Sequence, residues 1–118
     1  MLIRADYLCR VSSTSETSVL PTGLCNPNNQ TEDCLNLNVF APIGADSSSK
    51  LPVLFFIEGG AFLQGSAGTF LYDARLLAGR GDVVVVSTNY RLGVLGFLIN
   101  DNSNGNYGIF DQRFAMQW

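Results

Sequence analysis

The stretch Leu51–Gly68 reads LPVLFFIEGGAFLQGSAG. Within it, "PVLFFI" (52–57) is an unbroken apolar run of strand length, and a glycine pair stops it abruptly two residues later. A strand that is apolar on both faces is expected where both faces of a sheet are covered. On its N-terminal side "LNLNVFA" (35–41) alternates apolar and polar residues, the pattern of a half-buried strand. The polar turn "PIGADSSSK" (42–50) lies between the two, and its Gly and Ser content suits a hairpin connection. On the other side, "YDARLLAGRG" (72–81) puts apolar residues at helical spacing and ends in glycine, which predicts a short helix. "DVVVVSTNY" (82–90) is the clearest strand, with four valines in a row. Glycine-rich loop is expected through Gly108, and "IFDQRFAMQW" (109–118) predicts a helix. Residues 11–33, rich in Ser, Thr, Asn and Pro, read as loop. Strand, loop, helix, strand, loop, helix is the order of an α/β fold with a parallel portion.

Bulk composition bounds what such a chain does. Its 118 residues suffice for one domain and not two. Apolar residues make up 47% and charged residues 14%, against about 25% charged in ordinary soluble domains. Such a surface wants covering, as in a sheet buried on both faces or a piece of a larger body. The net charge is -3 and the basic residues are scattered, so no nucleic-acid footprint is expected. No apolar run approaches the roughly 20 residues that span a bilayer. Arg4, Asp6 and Arg10 interrupt the start where a signal peptide needs an apolar core, so none is expected in this chain. Cys9, Cys25 and Cys34 match no zinc spacing, and histidine is absent from the sequence, so no metal site is expected. On the cysteines alone, a disulfide in an extracytoplasmic protein and three buried thiols in a cytosolic one stand equally open. The sequon Asn29-Gln30-Thr31 leans towards the first.

Three chemistries compete for the glycine turn. A phosphate loop needs a lysine after its glycines or a G-x-G-x-x-G spacing, and neither is here. A nucleophile elbow needs G-x-S-x-G, but Ser66 directly follows Gly65 and lies several residues past the strand. Ser66 therefore reads as loop chemistry. The third is an oxyanion hole, in which backbone N–H groups meet the negative charge that acyl transfer builds on a carbonyl oxygen. Glycine lets that oxygen approach and supplies the dihedrals. A glycine turn leaving a sheet strand, as "IEGGAF" (57–62) does, is the context such a loop takes in α/β-hydrolases.

Four stretches in fixed order, "TEDCLNLNVFAP", "PVLFFIEGGAFLQGS", "DVVVVSTNYRLGVLGFL" and "GNYGIFDQRFAMQW", resemble the type-B carboxylesterase and cholinesterase-like family over roughly 26–118. The resemblance implies a partial α/β-hydrolase fold, with residues 1–118 as the N-terminal portion of a carboxylesterase domain. It implies a small-molecule ester substrate, no cofactor, and a secreted parent protein. The family's H/Y-G-G-G-F loop aligns with Glu58-Gly59-Gly60-Ala61-Phe62, so the implied oxyanion donors are the N–H groups of Gly60 and Ala61. Alanine keeps the N–H. Glu58 departs from the family and sets a carboxylate beside a site built for an anion. Glu32 and Arg91 match a structural ion pair of the family. Cys34 matches the second cysteine of a family disulfide, and Cys9 fits its partner's separation better than Cys25. Cys25 stands before "NPN" where choline-ester enzymes carry an aromatic residue for the quaternary ammonium, which disfavours choline esters.

In the family the nucleophile lies in a G-E-S-A-G turn after the last of these stretches, followed by an acid and a histidine. With no histidine, this chain is expected not to hydrolyse esters by itself. Its strand at 83–89 is expected to form an exposed valine-rich sheet edge, leaving the isolated chain poorly soluble or partly unfolded. The alternative function is a non-catalytic, cholinesterase-like adhesion or binding module with a protein partner. Glu58 favours that reading.

Overall fold

The computed structural model describes residues 33–102 and 104–118. Three strands, β1 (Leu37–Phe40), β2 (Val53–Ile57) and β3 (Val84–Thr88), form one mixed sheet in the order β1-β3-β2. β1 runs antiparallel to β3, with Leu37 opposite Thr88 and Phe40 opposite Val85. β2 runs parallel to β3, with Val53 opposite Val84 and Ile57 opposite Thr88. A parallel neighbour needs a crossover. It is supplied by a 3-10 turn (Phe70–Tyr72) and α1 (Arg75–Gly81). After β3 come two helices packed on one another, α2 (Gly93–Phe97) and α3 (Tyr107–Gln117).

β3 sits in the middle of the sheet, paired on both edges. Its β-branched residues favour extended backbone, and Val85, Ser87 and Thr88 are all 2% exposed or less. The two hydroxyls are paired: Asn38 Nδ2 donates to Ser87 Oγ at 3.2 Å, and Thr88 Oγ1 donates to the Asn89 carbonyl at 3.1 Å. This central position corrects the expected open edge at 83–89. Among the described residues the open edge on the glycine-turn side is β2, where Val53 and Leu54 are exposed. The unbroken apolar run of β2 is therefore uncovered, not buried on both faces as its sequence implied. The hairpin expected across 42–50 is also absent, because β1 and β2 lie on opposite sides of β3. Those residues still turn: the Asp46 carboxylate accepts from the backbone N–H groups of Ser48 and Ser49 at 2.9 and 3.1 Å.

The helix expected over 72–81 divides in two. The α-helix starts only at Arg75, whose N–H donates to Asp73 Oδ1 at 3.0 Å. At the far end the left-handed residue that stops the helix is Asp82 (φ 48°), one past the expected Gly81. Aspartate is among the few L-residues that visit this region. α2 falls inside the stretch expected to be loop. Its five residues are too few to show helical periodicity.

Candidate functional site

β2 ends at Ile57, and its backbone runs straight into Glu58-Gly59-Gly60. Gly60 has φ 153°, and a Cβ there would lie 1.6 Å from the Gln64 carbonyl oxygen. Only glycine fits. That carbonyl closeness comes from a tight turn in which the Leu63 and Gln64 N–H groups both donate to Gly60 O, at 3.0 and 3.2 Å. Ala61 and Phe62 follow at φ 56° and 61°, two consecutive L-residues in the left-handed region. Each costs about 1–2 kcal/mol relative to ordinary backbone. Their neighbours hold them there. Gly93 N–H donates to Phe62 O at 2.7 Å, and the Phe62 ring packs on Phe97 and Tyr90 at centroid distances of 4.9 and 6.4 Å.

The rest of the loop is fixed from beneath by Asn89, the residue after β3's Thr88. Asn89 Oδ1 accepts from Ala67 N–H at 2.8 Å and from Ser66 Oγ at 3.4 Å. Its Nδ2 donates to Cys34 O and Asn36 Oδ1 at 3.0 and 3.1 Å. Asn38 Nδ2 reaches Ala67 O at 3.1 Å. Ser66 is buried in this network and also accepts Gly68 N–H at 3.1 Å, so its hydroxyl is a structural group. One buried asparagine at the end of β3 thus ties the loop at Ser66–Ala67 to the segment that leads into β1.

Neither Gly60 N–H nor Ala61 N–H donates a hydrogen bond among the described residues. Both residues line a cavity of about 270 Å³ together with Glu58, Tyr90, Ile109 and Gln112. Glu58 is 3% exposed, and its Oε2 has no hydrogen-bond partner among the described residues. Burial pushes its carboxyl above the ordinary value. Its carbonyl oxygen accepts from the Tyr90 hydroxyl at 3.2 Å. The Tyr90 phenol is itself pushed up, by burial first and by Glu58 second. Beside this cavity lies an open apolar groove of about 510 Å³, running from Phe62 and Leu63 to Phe97 and Ile99.

Arg91 makes a two-pronged pair with Asp111 of α3: Nε to Oδ2 and Nη2 to Oδ1, both 2.8 Å. The Arg91 backbone N–H also donates to Asp111 Oδ2 at 3.0 Å. Its guanidinium carbon lies 5.2 Å from the Tyr107 ring centroid. The Asp111 contact raises the Arg91 pKa further. The sequence carries no local signal for this role of Asp111, which lies 20 residues from Arg91 along the chain. Glu32, the expected partner of Arg91, and Cys9, the expected partner of Cys34, lie outside the described residues, as does Cys25. Cys34 itself is buried at the entry to β1. Among the described residues no three Cys, Asp or Glu side chains cluster as metal ligands, and no helix is long and apolar enough to cross a membrane.

Proteins of similar sequence are found among both enzymes and proteins named otherwise. The chain is 47% identical over 113 residues to the cAMP-regulated D2 protein of Dictyostelium discoideum, covering 96% of this chain and 21% of that protein. It is 48% identical over 96 residues to bile salt-activated lipase of Bos taurus, covering 74% of this chain and 16% of the lipase. With para-nitrobenzyl esterase of Bacillus subtilis (strain 168) the identity is 49% over 94 residues, covering 75% and 19%. The chain thus spans about a fifth or less of the length of these relatives. The Carboxylesterase family matches residues 9–118. On that match, which takes in the glycine loop, the Asn89 clamp and the Arg91–Asp111 pair, the chain belongs to the carboxylesterase family.

Proposed function

We propose that this chain is the N-terminal portion of a serine carboxylic-ester hydrolase domain and supplies its oxyanion loop. One observation carries the reading: Gly60 and Ala61 line a cavity, and their N–H groups do not donate to their own loop. Two donors left unpaired in a fixed turn suit a charge that exists only as the tetrahedral intermediate forms. The Asn89 clamp and the Phe62 packing hold that turn before any substrate arrives, so no reorganisation is needed at the moment of reaction. The adjoining groove from Phe62 to Ile99 suits an apolar group of a small-molecule ester. The serine, acid and histidine would come from elsewhere in the domain, since histidine is absent from these 118 residues. Consistent with the family, we place the protein outside the cell, with Cys34 tied to Cys9, Glu32 joining Arg91, and no cofactor.

The test is a graft. Para-nitrobenzyl esterase carrying residues 51–68 of this chain in place of its own aligned segment should keep kcat within about tenfold of the unaltered enzyme. Gly60→Ala in the graft keeps the N–H but drives a Cβ into the Gln64 carbonyl oxygen, which displaces the amide, and should lower kcat by about 10²–10³, as the loss of an oxyanion donor does. A Gly60→Ala graft as active as its parent would overturn the assignment.

A second reading, a binding module that kept the fold without the chemistry, is favoured only by Glu58. A serine-reactive organophosphonate separates the two in the longer protein that carries this segment. A covalent adduct on serine supports the esterase, and an unlabelled but folded protein supports the binder.

A further inference from the structure

Glu58 presents a problem that its neighbours do not solve. A carboxylate 3% exposed, with one oxygen wholly buried and unpartnered among the described residues, is among the most costly groups a fold can keep. The side chain is tucked beneath the glycine turn. A Cβ on Gly65 would come 3.2 Å from Glu58 Cγ and 3.7 Å from Oε1, so a glycine at that position leaves it room. From the segment after β3 it faces Tyr90, a neutral phenol whose hydroxyl is spent on the Glu58 carbonyl. From α3 the cavity receives Ile109 and Gln112, which carry no charge. Asp111 of that helix is held by Arg91. Among the described residues, no lysine or arginine lines the cavity. Burial in such company favours the neutral carboxylic acid.

Two residues along the chain, no more than about 7.5 Å from Cα to Cα, lies Gly60, followed by Ala61; both line the same cavity, and neither N–H donates a hydrogen bond among the described residues. An anion there and an ionised Glu58 would be like charges in a poorly screened space. We infer that Glu58 is a proton-operated gate on the Gly60–Ala61 amides: neutral, it leaves them open to an anion, and ionised, it excludes one. This rests on the oxyanion reading of the loop and adds its regulation. An esterase built on this loop binds its anionic intermediate best on the acid side of Glu58's midpoint and loses rate as Glu58 ionises. Anion and proton are then taken up together, and each raises the other's affinity by the same factor.

Hydrogen exchange on the full 118-residue chain, at low micromolar concentration, reads this directly. The probe is methanesulfonate, which stays an anion throughout the range, and the quantity is protection of the 58–65 peptide with and without it at each pH. The expected result is protection at pH 5 that weakens at least tenfold by pH 8, and Glu58→Gln protected equally at both. Equal protection at pH 5 and pH 8 in the unaltered chain overturns the gate and leaves the oxyanion loop standing. That comparison decides the matter even if the variant does not fold. A Glu58→Gln chain that keeps the pH dependence also overturns the gate, since another group would then be responsible. Absence of protection in both chains at every pH overturns the oxyanion loop, and the gate with it.

Discussion

Glu58 and Ala61 show how single residues set the terms of the glycine loop. With its folded-state pKa raised above the usual 4.5, Glu58 binds its proton more tightly in the folded than in the unfolded chain. Its contribution is therefore fully present below pH 4.5 and is lost as pH rises through the higher folded-state midpoint. Glu58→Gln removes that loss. The variant should match the natural chain near pH 4.5 and exceed its stability by about 1–3 kcal/mol at pH 8, the cost of an unpaired buried polar group. Urea midpoints at the two pH values check this, and a gap that stays constant with pH would contradict it. Ala61 carries the opposite kind of cost, a backbone one. Ala61→Gly relieves about 1–2 kcal/mol of left-handed strain but gives back about 0.4–1 kcal/mol through a freer unfolded chain. A net gain below about 1.5 kcal/mol is expected in the same urea experiment. A loss would mean that the alanine methyl packs usefully in the loop.

At the scale of elements, α3 is joined to the rest through Asp111 as much as through apolar contact. Asp111 accepts from the Arg91 Nε, Nη2 and backbone N–H groups while its side chain is only 7% exposed. Hydrogen bonds to charged groups contribute about 1.5–3 kcal/mol. Asp111→Asn should therefore cost about 2 kcal/mol and speed amide exchange across Tyr107–Gln117 before it affects the sheet. Uniform acceleration over both would show that helix and sheet open as one unit. A glycine reinforces this junction: a Cβ on Gly108 would lie 2.5 Å from the Arg91 carbonyl oxygen. What the sequence made legible follows the same division. The strands were readable because β-branched and alternating runs declare themselves locally, and the glycine turn because Gly59-Gly60 interrupts one of them. The order β1-β3-β2 was not, because a polar turn such as 42–50 looks alike whether its strands pair or straddle a third. Nor was the Asp111 partnership, since 20 residues separate it from Arg91 and only the packing of α2 on α3 brings them together. For the site, the residues facing the cavity from the loop were legible. Tyr90 and Gln112, which face it from elsewhere, were not.

For the whole molecule, the decisive feature is what β2 leaves uncovered. Val53 is 65% exposed and Leu54 44% exposed, on a strand whose outer backbone groups have no sheet partner among the described residues. Leu76, Leu77, Phe110 and Phe114 add further exposed apolar surface on the helices. A flat apolar edge is a template for another strand, and charged residues on such an edge are the usual protection. β2 carries none. The isolated 118-residue chain should therefore self-associate with rising concentration and bind the dye ANS. Moving the open edge from β3 to β2 changes which residue controls this. Leu54→Lys places a charge on the exposed strand beside Val85 and not in its place, and should shift the chain towards monomer in sedimentation. The equivalent change at Val85, which is 2% exposed, should unfold it instead. A monomeric natural chain with a single sharp thermal transition and no dye binding would show that the β2 edge is already covered.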